Sequence, residues 1–260
     1  MLPQYPRPFV TLFLGRLGEE SFLKDAEQTL PIAEGFRIER VAEDRRYGAT
    51  DIEIQRGEVT LLRANVKVHA TQFKKAKSFV GLDPEDCFAL ALYKILNGIK
   101  LERSTEIPFV FIVYVNWNVG ETLQRDLYNK LRNTPMHEEI NTLFSRRRRN
   151  RTEEDQLIDR VITYLKSINV WDEYVQLIRA SNKRVISAEK GLNLVIEHLD
   201  SRIPTLKSSY LARRILTGGG EVDMHFSISE EMTDMWLFLQ AIRCCKNPLC
   251  VKEIIANLNV

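Results

Sequence analysis

Residues 109–116 read Phe-Val-Phe-Ile-Val-Tyr-Val-Asn, and they constrain this chain more than any other stretch. The run is too short to span a bilayer and too rich in β-branched and aromatic side chains for a surface helix. It fits a strand buried on both faces of a sheet, and such a sheet needs covering elements above and below it. With 260 residues, 44% of them hydrophobic, the chain can bury that core. Its 28% of charged residues, without a long low-complexity tract, predict an ordered globular protein.

Around this strand the pattern alternates. A Pro-rich start gives way at Gly18-Glu19-Glu20 to a helix over Glu19–Leu30, with Phe22, Leu23, Ala26 and Leu30 at helical spacing and Pro31 ending it. Strands are expected at Phe36–Val41, Asp51–Gln55 and Val59–Ala70, with a charged loop over Glu43–Gly48 and a turn at Arg56-Gly57. Lys74–Phe79 reads as a short helix or a loop. Asp83-Pro84-Glu85 has the chemistry of a helix start, an acidic cap followed by proline, which predicts a helix to about Leu96 that stops at Asn97-Gly98.

The second half reads as mainly helical. Helices are expected over Glu121–Leu131, Glu138–Phe144, Thr152–Ile168, Trp171–Ile178, Ser187–Leu199 and Glu230–Arg243, with a strand over Val222–Ile228. The fold class is therefore α/β: a mixed central sheet flanked by helices, followed by a mainly helical C-terminal half. The expected division is a core over 1–135 and a helical part over 136–260 packed on it.

The chemistry concentrates in Val59–Ala70. Side chains alternate across a strand, so Thr60, Leu62, Ala64, Val66 and Val68 form an apolar face, while Leu61, Arg63, Asn65, Lys67 and His69 share the other. A row of Arg, Asn, Lys and His is costly to bury without a purpose, which points to a polar cleft. The bland alternative is an edge strand with a solvated polar face. If Arg56-Gly57 turns the chain back, Asp51 comes near Asn65 and Lys67, with Glu53 on the face of Asp51. A carboxylate, an amide oxygen and a lysine then converge, a set suited to Mg²⁺ and phosphodiester hydrolysis.

These residues resemble the PD-(D/E)XK nuclease superfamily, which includes many type II restriction endonucleases. Thr50-Asp51 matches the first half-motif and Asn65-Val66-Lys67 the second, and the resemblance covers roughly residues 15–116. It implies a restriction endonuclease-like core with the motif on a hairpin, Asp51 and position 65 as Mg²⁺ ligands, Lys67 handling the attacking water, and Glu20 or Glu19 as an accessory acid. It further implies double-stranded DNA as partner, a type II site-specific deoxyribonuclease activity, and a homodimer in which the helical half supplies dimerisation and base reading.

Two departures stand out. No proline precedes Asp51, and the second acidic position is Asn65, which keeps the shape of aspartate without its charge. Asn65 is then a substituted aspartate, or the acid has moved to Glu20, Glu53 or Glu85, or the chain is a natural member of weak activity. The alternatives to a restriction enzyme are a non-catalytic DNA-binding or protein-interaction module of the same fold, and a structure-selective repair nuclease.

Other signals are weaker. Arg146, Arg147, Arg148, Arg149 and Arg151 could bind phosphate or pair with Glu153–Asp155; His69, Gln72, Lys74 and Lys75 could reach a duplex backbone, as could Arg213 and Arg214. Net charge is only +2, with 37 basic and 35 acidic residues, so the total decides nothing about nucleic acid. Gly218–Gly220 lacks the Lys-Ser/Thr of a P-loop. Met232, Met235, Trp236 and Leu239 form an apolar helix face, for core or a dimer interface. The four cysteines offer neither a CxxC pair nor a nearby histidine for zinc, and no Ser-His-Asp or Cys-His arrangement can be assembled. With no apolar span and no signal-peptide pattern, the expectation is a cytoplasmic protein without a membrane segment.

Overall fold

The computed structural model describes residues 5–41, 50–146, 150–202, 223–228, 232–245 and 247–258. The sequence features at Glu43–Gly48, Arg147–Arg149, Arg213, Arg214 and Gly218–Gly220 lie outside them. The chain forms two compact units that interleave along the sequence: Met1–Lys24, Lys67–Thr71 and Tyr114–Asn182 make the first, and Asp25–Val66, Gln72–Val113 and Lys183–Val260 the second.

The fold is mixed α/β, as the sequence predicts. Six strands make the main sheet: β1 (Phe36–Arg40), β2 (Ile52–Arg56), β3 (Val59–His69), β5 (Phe109–Val115), β6 (Asn182–Ser187) and β8 (Thr233–Asp234), in the order β1-β2-β3-β5-β6-β8. β1, β2 and β3 are antiparallel neighbours, and Gly57, at φ +60°, makes the tight reversal between β2 and β3. β3 and β5 run parallel. Arg63 N–H donates to Pro108 C=O at the start of the pair, and Asn116 N–H donates to His69 C=O at its end. All seven residues of β5 are buried, as its unbroken apolar sequence requires.

The parallel pair demands a crossover, which contains α2 (Ala76–Val80), β4 (Cys87–Ala91) and α3 (Leu92–Thr105). Here the predicted helix from Asp83 to Leu96 is corrected. Residues 84–86 are a turn, Cys87–Ala91 is a strand, and the helix begins only at Leu92. A short apolar run such as Cys-Phe-Ala-Leu-Ala cannot be assigned by periodicity alone. Its state is decided by a distant partner: β4 pairs antiparallel with β7 (Asp223–Ser227) in a separate two-stranded sheet, where Phe88 stacks on Phe226. Gly98 does not stop the helix either. It lies inside α3, where a Cβ would sit 2.7 Å from the Phe109 ring, so glycine lets α3 lie close to β5.

The first helix also differs from expectation. α1 spans Arg7–Thr29 without a break. Phe9, Phe13 and Leu17 extend the apolar stripe by successive helical turns, and Pro8 sits in the first turn, where its missing N–H costs nothing. In the first unit, Phe9 packs edge-on against Phe144, and Phe13 against Trp171. These rings lie on α5 (Pro135–Phe144) and α7 (Trp171–Arg179), which with α4 (Val119–Leu131) and α6 (Arg151–Ser167) complete the unit's helices. Each fully buried aromatic contributes about 1.5–3 kcal/mol. The start of α6 is capped by Asn150, whose side chain accepts from Thr152 N–H, so the helix begins at Arg151, one position before the expected Thr152 start.

The second unit adds α8 (Ala188–Arg202), α9 (Met235–Cys244) and α10 (Pro248–Asn257); the last was not evident in the sequence. The buried face of α9 is Met235, Phe238, Leu239 and Ile242, whereas Trp236 is 59% exposed and does not belong to the core. No helix among the described residues is long and apolar enough to cross a membrane.

Gly120 sits against the backbone in the first unit. A Cβ there would stand 2.2 Å from the Ala70 carbonyl oxygen, immediately after β3. Because a backbone atom rather than a flexible side chain must yield, Gly120→Ala is expected to lower stability by about 1–3 kcal/mol. Urea unfolding of the variant against the parent chain measures it.

Candidate active site on the central strands

Asp51 is held by the backbone it precedes. Its N–H donates to Ala64 C=O at 2.9 Å, and its own C=O accepts from Val41 N–H at 3.0 Å. These bonds extend the β1–β2–β3 ladder by one residue and leave the side chain no choice of neighbourhood. The carboxylate Oδ2 accepts from Val66 N–H at 2.9 Å, which sets it against the β3 backbone between Asn65 and Lys67. The hairpin geometry that the Arg56-Gly57 turn implied therefore brings Asp51 to Asn65-Val66 within the second unit.

Asn65 is only 1% exposed. β3 lies between β2 and β5, so it is an interior strand rather than a solvated edge. The polar face is not uniform. Leu61 and Asn65 are buried on it, while Arg63, Lys67 and His69 are half-buried. Burying an amide here is affordable only because it carries no charge; an aspartate would face a large desolvation cost unless a cation compensated it. Lys67 follows two residues later on the same strand, at the point where the chain passes into the first unit.

The remaining acids divide differently from the sequence expectation. Glu53 faces Arg63 across the β2–β3 pair and binds it, Oε1 to Nε at 2.8 Å, while Arg63 Nη1 also donates to Thr105 Oγ1 at 2.7 Å. Glu53 thus serves as counter-ion to the arginine on this face. Glu85 is exposed in the turn before β4. Glu20 is half-buried midway along α1 rather than at a helix start, and Glu19, beside it, is buried with its carboxylate 3.6 Å from Arg16. Both belong to the first unit.

One group quoted with the motif was given no role in the sequence reading. Thr50, adjacent to Asp51, is buried, and its hydroxyl makes no hydrogen bond with the protein. Buried hydroxyls normally find a partner, often an ordered water, so this oxygen is a further polar atom beside Asp51. A threonine before an acid carries no periodic or turn signal that would have marked it.

The donor chemistry bears on a metal. Asp51 and Asn65 offer hard oxygen atoms, which suit Mg²⁺, an ion that keeps several waters and needs only one or two protein carboxylates. Among the described residues, no three His, Cys, Asp or Glu side chains form a metal-holding group. The residues fit a sparsely ligated oxygen site and not a protein cage.

Of the basic residues, Gln72's neighbours Lys74 and Lys75 are exposed, as is Gln72 itself, and His69 is half-buried. Arg146 is exposed and pairs with Glu153 at 3.3 Å, and Arg151 pairs with Asp155 at 3.0 Å. The described part of the arginine run thus answers the acids at the start of α6.

Comparison with protein-family models gives no match, and comparison with curated proteins gives none. Among solved structures there is a similarity to the 1.6 Å structure of Archaeoglobus fulgidus Hjc, a Holliday junction resolvase from an archaeal hyperthermophile. Identity is 16% and the TM-score 0.27, over 39% of this chain and 64% of that one. The chain thus spans less than two thirds of that protein's length, and no residue role is taken from it.

Asp51 caps a backbone N–H whatever else it does. Asp51→Ala should cost about 1–3 kcal/mol by leaving Val66 N–H without its acceptor, while Asp51→Asn, which keeps an oxygen, should cost distinctly less. Chemical denaturation of both variants tests this ordering.

Proposed function

We propose that this chain is a nuclease of the PD-(D/E)XK type that acts on double-stranded DNA, with Asp51, Asn65 and Lys67 as its centre. The observation that carries the reading is the Asp51 Oδ2 to Val66 N–H bond, which fixes a carboxylate against the Asn65-Val66-Lys67 strand. The interior position of β3 and the burial of Asn65 add support, because a solvated edge strand would need neither.

In this reading Asp51 and Asn65 are the residues that would hold Mg²⁺, which supplies charge neutralisation on phosphate and a more acidic bound water. Lys67 orients the attacking water and stabilises the charge that develops on the phosphate oxygens. Glu20 is an accessory acid. His69, Gln72, Lys74, Lys75 and the arginines 146–149 contribute backbone phosphate contacts, which makes affinity fall steeply with salt. The finer proposal is a cytoplasmic type II restriction enzyme acting as a homodimer, since two-fold symmetry matches cleavage of both strands of a palindrome.

A second reading follows from Asn65 itself. One carboxylate and a neutral amide attract a dication weakly, which favours a DNA-binding module that retains the fold without efficient cleavage. The two readings separate on Asn65→Asp. For the nuclease, the variant should cut plasmid in Mg²⁺ faster than the parent by about 100-fold or more, the equivalent of about 3 kcal/mol of charge stabilisation. It should also gain metal-dependent stability, roughly 3 kcal/mol at about a 100-fold excess over Kd. Fixed fragments indicate a restriction enzyme, and preference for branched DNA a structure-selective one. If neither form cuts in Mg²⁺ or Mn²⁺ and Asn65→Asp gains no metal-dependent stability, the catalytic reading fails; salt-sensitive duplex binding would then support the second.

A further inference from the structure

α9 is almost uncharged. It reads Met-Trp-Leu-Phe-Leu-Gln-Ala-Ile-Arg-Cys, with Arg243 in the last turn as its one charge. Met235, Phe238, Leu239 and Ile242 form the buried face. The opposite face has Trp236, Gln240 and Cys244 in one i, i+4 row, with Leu237 and Ala241 in the next. Trp236 is 59% and Leu237 57% exposed; Cys244 is exposed too, and Gln240 and Ala241 are half-buried. A helix that is apolar all round belongs in an interior, yet this one is covered on one side. β8, just before it, is an edge strand of two residues, too short to extend the sheet into another molecule, which leaves helix packing as the way to cover α9. Among the described residues, α3 has the other pair of exposed large apolar side chains on one helix, Tyr93 and Leu96. There the exposed Lys100 and Arg103 stand alongside, and their like charges oppose a second copy.

We propose that α9 is the two-fold interface of a homodimer, packed antiparallel on the α9 of a second copy about Gln240. An isologous contact requires a patch that matches itself, and this face does so under that rotation. Gln240 meets its own counterpart, and a carboxamide is an uncharged group that both donates to and accepts from its copy. Trp236 falls opposite the partner's Cys244, bulk against a small side chain. Leu237 falls opposite the partner's Arg243, whose methylenes cover it. The charges also match. The N-cap Asp234, with its side chain 46% exposed, lies one turn before Leu237, at the end that the partner's Arg243 approaches. Antiparallel packing sets each helix N-terminus beside the other's C-terminus, which favours the same arrangement. Trp236 alone has roughly 100–150 Å² left to bury, toward the ~800 Å² that each partner contributes to a standard interface. Large aromatic side chains are the usual anchors of such contacts. The inference rests on the homodimer of the nuclease reading and gives that dimer its face.

Sedimentation velocity of the native full chain, without DNA or metal, tests this. At roughly 100 μM the expected mass is twice the 30.2 kDa of one chain. Leu237→Glu, at an exposed position, should weaken association by at least roughly 30-fold and leave the circular dichroism spectrum unchanged. Leu96→Glu should leave the dimer intact. Gln240→Cys should be joined to its own counterpart by a short bis-maleimide, seen by mass spectrometry as a peptide linked to itself through position 240. A monomer at every concentration, a dimer that survives Leu237→Glu, or a dimer lost in Leu96→Glu overturns the proposal. A dimer without the link at position 240 overturns it as well, and that outcome does not depend on Leu237→Glu folding. A monomer that cuts plasmid would overturn this interface and leave the nuclease reading standing; the expected dimer without cleavage by either form would do the reverse.

Discussion

The pairing of β3 with β5 organises this molecule. β5 is dry over its whole length, so its backbone groups must be satisfied by strands on both sides. On one side stands β3, running parallel, and parallel pairing forces the chain through a long crossover before it can return. On its far edge β3 meets β2 antiparallel, which a two-residue reversal at Gly57-Glu58 is enough to achieve. The polar residues of β3 are therefore enclosed between a local hairpin partner and a distant one. Of these side chains only Asn65 is fully buried, while Arg63, Lys67 and His69 are half-buried. Asn65 is neutral, Arg63 is paired with Glu53, and Lys67 is half-buried near the end of β3.

Much of this was legible in the sequence, for identifiable reasons. The period-two alternation of Val59–Ala70, the Arg56-Gly57 reversal and the unbroken apolar run of β5 are local signals, and they gave the hairpin and the neighbourhood of Asp51 and Asn65, but not the hairpin's register. Signals failed where the deciding partner was remote. Cys87–Ala91 has no alternation of its own and becomes a strand only through Asp223–Ser227. Asn97-Gly98 imitates a helix stop, yet Gly98 serves the approach of Phe109. The N-terminal half of α1 was obscured by Pro8 and two glycines, although Phe9, Phe13 and Leu17 were at the right spacing. In the site, the pairing of Glu53 with Arg63 was missed because facing charges on adjacent strands require a known register. Thr50 was quoted beside Asp51 but given no role, because burial of a lone hydroxyl leaves no trace in composition.

Asp51 serves two purposes that pull in one direction. As an acceptor for Val66 N–H it stabilises the fold, and the same bond removes its side chain's freedom to wander from Asn65. A catalytic or ligating group placed this way loses little entropy when a ligand arrives, since its rotamer is already fixed. The arrangement also means that loss of function in an Asp51 variant is informative only alongside a measurement of its stability.

The β4–β7 ladder has a consequence for how the chain is made. Residues 87–91 find their partner only when residues 223–227 are available, so this part of the second unit is closed by contacts of very long sequence separation. On the ribosome, an apolar strand emerges and waits while more than a hundred further residues are synthesised, a number set by the gap between Ala91 and Asp223. During that interval its edge is open to pairing with any other extended chain. A polypeptide released early would carry this edge permanently, which makes premature termination a route to aggregation as well as to lost activity.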